Sequence, residues 1–228
     1  MACEGNGPIF EAISNSFRSH RDRLLRGAIM ERRSRVSGIF NIIDMGGSYK
    51  YWDRVGLDFL ESANIKITCV NHIRSELFAP EPKTERITFV VADACNLHFY
   101  KDSSFDFVHS NSVIEHVGRW SEMRAFAKEV RRLAPAYYIQ TPYFWFPIDP
   151  HFYRVPFYHW MPESLRLKII RRMKIGWSMA IPDLDDAMAA VESAVILDAS
   201  QFRSLFPDAE ISFERFALFP KSLIAIRR

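Results

Sequence analysis

Cysteine is scarce in this chain of 228 residues: Cys3, Cys69 and Cys95 are the whole set, and no two stand at metal-ligand spacing. An odd, unpaired set argues against a disulfide framework and for a reducing compartment. Cys69 and Cys95 fall in or beside apolar segments, where a free thiol behaves as a small apolar residue. Net charge is also small. Thirty Lys and Arg against 27 Asp and Glu leave +3, too little to argue for nucleic acid by itself. No apolar run approaches the roughly 20 residues needed to span a bilayer, and the first residues show no apolar signal region. These absences point to a cytoplasmic protein with no metal site. The length suits one domain covering residues 1–228, and no repeat or low-complexity segment interrupts it.

What the chain has in quantity is apolar and aromatic material. The hydrophobic share is 48% and the aromatic share 14%, with 19 phenylalanines. That content suits a large core and an aromatic-lined pocket. Residues 1–37 form an N-terminal segment that is helical and basic over 9–37, and Ser37-Gly38 ends it. A solvated helix face is the favoured reading of its arginines. No aromatics are interleaved as stacking platforms for nucleic acid.

From residue 39 to 140 the pattern alternates. Strands are expected at 39–44, 65–71, 87–92, 105–110 and 136–140, with helices at 51–62 and 121–133 and a short segment at 73–82. Strands separated by helices imply a parallel, doubly wound sheet, and buried parallel strands read as nearly continuous apolar runs. A helix at 200–206 and strands at 211–216 and 222–226, joined by Leu218-Phe219-Pro220-Lys221, add an antiparallel hairpin. Residues 142–199 read as an insertion on the substrate side or a lid. It opens with the aromatic, proline-braced stretch from Pro142 to Tyr153 and contains a basic amphipathic helix at 163–177.

The most informative segment is Ile42-Ile43-Asp44-Met45-Gly46-Gly47-Ser48. An apolar strand stops at a carboxylate, a glycine pair follows at once, and a helical pattern comes next. Such a turn lets backbone approach a ligand closely. A carboxylate cannot cradle a phosphate, so the ligand expected is one with a cationic amine and ribose hydroxyls. Three further strand ends carry polar residues: Thr68-Cys69-Val70-Asn71-His72, Val91-Ala92-Asp93-Ala94, and Phe105-Asp106-Phe107-Val108-His109-Ser110-Asn111, which runs on into Val113-Ile114-Glu115-His116-Val117.

Together these four segments, in order and at this spacing, resemble the class I S-adenosylmethionine-dependent methyltransferases of the small-molecule type, over about residues 38–141 and the terminal hairpin. The resemblance implies a Rossmann-like, doubly wound, seven-stranded α/β sheet, mostly parallel with a C-terminal antiparallel hairpin and helices on both faces. It implies S-adenosyl-L-methionine as cofactor. By the same resemblance Asp44, Gly46, Gly47 and Ser48 approach the methionine end, with Ser48 where the family usually has a second glycine. Asn71, beside His72, stands where the family has a ribose-binding carboxylate, and its neutral amide can still donate and accept. Asp93 and Ala94 stand at the adenine position, and Ser110 and Asn111 line the methyl-transfer corridor.

Three histidines compete for the role of general base. His151 follows strand five in the aromatic segment, with Asp149 placed to orient its ring. His116 is the reserve, and His159 beside Trp160 is the third. A structural role for each stands beside the catalytic one. Trp145, Phe146, Tyr153 and Tyr158 are the expected walls of an acceptor pocket. The helix at 163–177 reads first as packing its apolar stripe on the domain and second as a membrane-surface contact. The expected reaction is methyl transfer to a hydroxyl or amine of a small molecule, with a sugar or a secondary metabolite as first acceptor. The alternatives are a non-catalytic binding module of the same fold, marked by Asn71 and Ser48, and an RNA methyltransferase, for which no clear nucleic-acid signal is present.

Overall fold

The computed structural model describes residues 8–72, 84–176 and 179–228, with side chains from residue 19 onward. The segment expected at 73–82 lies outside these, as does Trp177. The described strands are β1 (Phe40–Met45), β2 (Ile65–Asn71), β3 (Ile87–Val91), β4 (Phe107–Asn111), β5 (Tyr137–Pro142), β6 (Glu210–Phe216) and β7 (Phe219–Arg227). They form a seven-stranded sheet in the order β3-β2-β1-β4-β5-β7-β6. The first five run parallel, and β7 lies antiparallel between β5 and β6. This is the doubly wound sheet with a terminal hairpin that the alternating pattern implied. The chain winds outward from β1 to β3 and then returns to β4 on the other side of β1. The carboxyl ends of β1 and β4 therefore meet at the point where strand order reverses, which is where such sheets bind ligands.

Side chains alternate across each strand, so neighbouring residues feed different cores. Ile42 faces a cluster with Leu25 and Ile29 of α1 (Pro8–Arg33), Trp52 of α2 (Tyr49–Val55) and Leu60 of α3 (Leu57–Ser62). Ile43 and Met45 face the opposite cluster, closed by Met123, Phe126 and Val130 of α4 (Trp120–Leu133) and by Phe202 of a later helix. All six residues of β5 are buried, as a central strand covered on both faces requires.

The helix expected over 51–62 is broken in two at Gly56, whose φ of +119° suits glycine and few other residues. Arg26 of α1 donates to the Val55 carbonyl at this break and lies over the Phe59 ring. The basic residues of α1 are thus more than a solvated face. Arg33 donates to the carbonyls of Ala63 (2.7 Å) and Gly38 (2.9 Å), and Asp22 pairs with Arg54 at 3.3 Å.

The region after β5 builds a small core of its own from Phe152, Tyr158, Ile170, Ile175, Ala187 and Val191. A 3-10 turn (Tyr158–Trp160), α5 (Glu163–Ile170) and α6 (Leu184–Glu192) supply it. The long basic helix expected at 163–177 stops at Ile170. The chain turns there so that Ile175 reaches this core, where its carbonyl accepts from the Arg154 amide at 3.0 Å. α6, which has no counterpart in the sequence reading, is capped by Asp183, whose carboxylate accepts from the amides of Asp185 and Asp186. A final helix, α7 (Ala199–Leu205), leads to the hairpin. The hairpin turn is tighter than expected: Ala217, at φ +51°, and Leu218 connect the strands, and Phe219 and Pro220 already belong to β7.

Leu25, on the inner face of α1, is fully buried, whereas its neighbour Leu24 is 37% exposed. Leu25→Ala is expected to lower the unfolding free energy by about 2–5 kcal/mol, while Leu24→Ala should shift it by about 0.5 kcal/mol or less. Urea unfolding of the two variants checks this, and equal effects would mean that α1 does not dock by this face.

Candidate active site

The tip of β1 is organised around Asp44. In register, Asp44 stands beside Cys69 of β2 and His109 of β4, so the three side chains share one face of the sheet. Asp44 is buried, and both its oxygens are engaged: Oδ2 accepts from the Trp52 indole N–H at 2.7 Å and Oδ1 from His109 Nδ1 at 2.7 Å. Tyr51 and Tyr138 cover the His109 ring, with ring centroids at 4.8 and 6.0 Å. Burial, with the Asp44 charge adding to it, pushes the Tyr51 phenol and the Cys69 thiol well above their ordinary values. Asp44 therefore ties α2 and β4 to the turn between them.

The two glycines of that turn are required by packing. Gly46 has a φ of +82°, and a Cβ there would lie 2.2 Å from the Val113 side chain. A Cβ on Gly47 would lie 2.2 Å from Asp44 Oδ2. Ser48 begins α2 in an extended conformation, with no side-chain capping bond.

The other strand ends carry the remaining expected cofactor residues. Asn71, at the end of β2, is buried, and His72 beyond it is exposed. Asp93 is exposed and accepts from the Cys95 amide at 2.8 Å, and Ala94 is half-buried. Ser110 is buried and donates to the Met45 carbonyl at 2.7 Å, which binds β4 to the tip of β1. Asn111 accepts from Arg21 of α1 at 3.3 Å, and Arg21 also pairs with Glu214 at 3.2 Å.

A second group of polar side chains converges where the chain leaves β4 and β5. Glu115 and His116 lie on a 3-10 turn (Ile114–His116) directly after β4. His151 Nε2 lies 2.9 Å from His116 Nε2, and the two rings meet edge to face. Asp149, buried, takes both the backbone N–H of His151 (2.8 Å) and its ring Nδ1 (2.7 Å) on the same oxygen. His116 Nδ1 lies 2.7 Å from the Ser193 carbonyl, and the Val195 amide donates to the Glu115 carbonyl at 2.7 Å. The segment after α6 thus clasps the turn. Glu115 is buried and accepts from the Thr141 hydroxyl of β5 at 2.9 Å. Burial raises its carboxyl to about 7. For His151, burial acts against the charged ring, but the Asp149 hydrogen bond and charge outweigh it and raise the pKa. Gly176 packs against this residue so closely that a Cβ would lie 2.1 Å from the His151 carbonyl oxygen.

The structure thus brings His116 and His151 together and places Asp149 where it orients His151. His159 sits elsewhere. Its Nε2 and the Trp160 indole N–H both meet the Phe144 carbonyl, at 2.7 and 2.8 Å, an arrangement that braces the aromatic segment. The four expected pocket aromatics do not form one wall. Trp145 is 58% exposed beside Phe144 and Trp160. Phe146 is buried and faces Phe216, and Tyr153 is half-buried beside Arg154. Tyr158 is fully buried against Phe152 and donates to the Arg166 carbonyl, so it is part of the small core. Two surface grooves, one past Arg124, Lys128 and Arg131 and one past Leu167, Arg171 and Leu184, lie away from these residues.

Glu115, Thr141 and His109 were not singled out by sequence reasoning. A signal existed for Glu115: a carboxylate inside the apolar run Val113-Ile114-Glu115-His116-Val117 must be solvated or must meet a partner. Pairing with Thr141 depends on strand order, which no local pattern reveals.

Residues 50–135 match a family model described as a methyltransferase domain. The match begins just beyond the Gly46-Gly47 turn. The fold is that of a class I methyltransferase. Among solved structures it is similar to phosphoethanolamine N-methyltransferase 2 of Haemonchus contortus in complex with S-adenosyl-L-methionine, with a TM-score of 0.52 and 15% identity, over 83% of this chain and 38% of that one. The chain therefore spans well under half the length of the Haemonchus protein. It is also similar to magnesium protoporphyrin IX methyltransferase of Synechocystis PCC 6803 with bound SAH, with a TM-score of 0.55 and 10% identity, over 99% of this chain and 90% of that one. No curated protein matches the sequence significantly. Among the described residues no helix is long and apolar enough to cross a membrane.

Asp44→Ala removes the acceptor of two buried donors, Trp52 Nε1 and His109 Nδ1, and each donor left unpaired costs about 1–3 kcal/mol. Chemical denaturation should register the loss. A stability change under about 1 kcal/mol would show that Asp44 does not tie α2 and β4 to the turn.

Proposed function

We propose that the chain transfers a methyl group from S-adenosyl-L-methionine to an oxygen or nitrogen of a small molecule, with the hydroxyl of a sugar or of a secondary metabolite as the first acceptor to test. The observation that carries this reading is the division of labour across the switch point. The ends of β1, β2 and β3 present Ser48, Asn71, His72 and Asp93, while the ends of β4 and β5 gather Glu115, His116, Asp149 and His151.

The donor set on the first side fits the cofactor's chemistry. Asn71 supplies both a donor and an acceptor for ribose hydroxyls. Asp93, exposed beyond β3, supplies a carboxylate for the adenine amine. Asp44 contributes by holding the turn, each of its oxygens accepting one hydrogen bond within the protein. When bound, S-adenosylmethionine supplies a methyl group made electrophilic by the adjoining sulfonium. The protein's task is then to place the acceptor atom in line with that methyl, and such positioning removes several kcal/mol of barrier. Glu115, His116 and His151 hold the acceptor and take up its proton. Asp149 fixes the His151 ring, and the Ser193 carbonyl fixes that of His116. The aromatic surface at Trp145 and Trp160 lies in the same post-β5 segment and suits stacking on a sugar face.

Calorimetric titration with S-adenosylmethionine is the first measurement, and binding with thermal stabilisation is expected. No heat and no stabilisation at millimolar ligand would remove the enzyme reading. Asn71→Asp should preserve or tighten cofactor binding, and a large loss would place Asn71 away from the ribose. His151→Ala should lower turnover by about 10²–10⁴-fold with cofactor affinity unchanged. Turnover near the parent level would leave His151 a structural residue.

A further inference from the structure

We propose that Glu115, His116 and His151 form a binding site for a divalent cation of the first transition row, with zinc the first choice. One carboxylate oxygen and one nitrogen from each ring lie within 4.8 Å of one another. The hydrogen-bond partners fix where the ring protons are. His116 Nδ1 faces the Ser193 carbonyl, which can only accept, so it carries a hydrogen. His151 Nδ1 faces an Asp149 oxygen that also accepts a backbone amide, so it carries one too. In the neutral rings both Nε2 lone pairs then face each other across 2.9 Å. Two lone pairs at that distance repel unless a positive centre lies between or beside them.

Glu115 adds the third ligand. The residue is 1% exposed, its Oε2 is satisfied by Thr141, and its Oε1 is buried with no hydrogen-bond partner among the described residues. A buried carboxylate oxygen without a donor is costly in a folded protein unless a cation meets it or a proton neutralises it. Every ligand is also backed by a further group: Asp149 behind His151, the Ser193 carbonyl behind His116, and the Thr141 hydroxyl behind Glu115. That arrangement orients imidazoles and carboxylates on metals.

Two imidazoles and one carboxylate suit zinc, iron(II), cobalt(II) or manganese(II) better than the all-oxygen preference of calcium or magnesium. Ligands about 2.1 Å from a zinc ion stand roughly 3.4 Å apart at tetrahedral angles, so closure of the present arrangement needs side-chain shifts of about 1 Å. His116 is exposed, which leaves a fourth position open to solvent. On the methyl-transfer reading, and resting on it, that position would take the acceptor's oxygen and lower its pKa so that its proton leaves to solvent, the imidazoles then serving as ligands in place of proton acceptors. Cation binding itself is independent of that reading.

The test is a calorimetric titration of the chelator-treated protein with zinc chloride, paired with cobalt(II) absorption in the visible. The expected result is one zinc ion per chain and cobalt bands of low-coordinate intensity. Glu115→Gln and His151→Ala should each abolish binding or weaken it by at least about tenfold, and Asp149→Asn by about 10–100-fold. His159→Ala, outside the cluster, should leave it unchanged. Wild-type protein that takes up no zinc or cobalt at millimolar concentration overturns the proposal, whatever the variants do, and leaves a proton shared between the two rings as the occupant. Stoichiometric binding that survives both Glu115→Gln and His151→Ala overturns it as well. Titration of the zinc-free protein with S-adenosylmethionine is read separately, so failure of the methyl-transfer reading and failure of the cation site are distinguishable.

Discussion

The hydrogen bonds on Asp44 are the constraint on which the site depends. A buried carboxylate at the tip of a central strand needs donors, and this fold supplies two from different elements: the Trp52 indole of α2 and the His109 ring of β4. Those bonds set where α2 starts relative to the sheet and hold β1 and β4 together at the point where strand order reverses. Ser110, donating to the Met45 carbonyl on the next residue pair, reinforces the same junction. The glycine pair follows from the same crowding, since Gly47 lies against the Asp44 carboxylate and Gly46 against Val113. The turn is a packed joint, and the polar residues at the neighbouring strand ends depend on it for their positions.

The segment after β5 shows how a stretch outside the main sheet delivers chemistry to it. It forms a small core around Phe152, Tyr158 and Ile170, grips the Phe144 carbonyl with His159 and Trp160, and returns through Ser193 and Val195 to clasp the Glu115-His116 turn. His151 projects from this body toward β4 with Gly176 packed against its carbonyl. The position of the His151 ring is therefore set by packing from several directions, which is how a polar side chain is held to the tolerance that catalysis or ligation requires.

The basic N-terminal helix has a similar explanation. Its arginines cap carbonyls at Val55, Ala63 and Gly38 and pair with Glu214, so much of its positive charge is spent on holding the helix to the body. Fixed, multiple donors make arginine suited to this task. Arg21 also reaches Asn111 at the end of β4, which extends α1 to the edge of the candidate site.

The alternation of apolar strands with amphipathic helices determined the seven-stranded architecture, because a strand buried on both faces and a helix buried on one leave different periodic traces. The Asp44-Gly46-Gly47 motif and the polar strand ends at Asn71, Asp93 and Asn111 were equally legible, since each is a short local departure from an apolar run. Tertiary structure alone decided what those residues do. Asp44 turned inward to Trp52 and His109, Tyr158 went into a core, and the helix expected at 163–177 ended at Ile170 so that Ile175 could pack. The meeting of Glu115, His116 and His151 was beyond any local pattern, because it depends on β4 and β5 lying side by side and on a later segment folding back over both. Periodicity records which face of an element is buried, but contacts between residues far apart in the chain depend on how the faces are assembled.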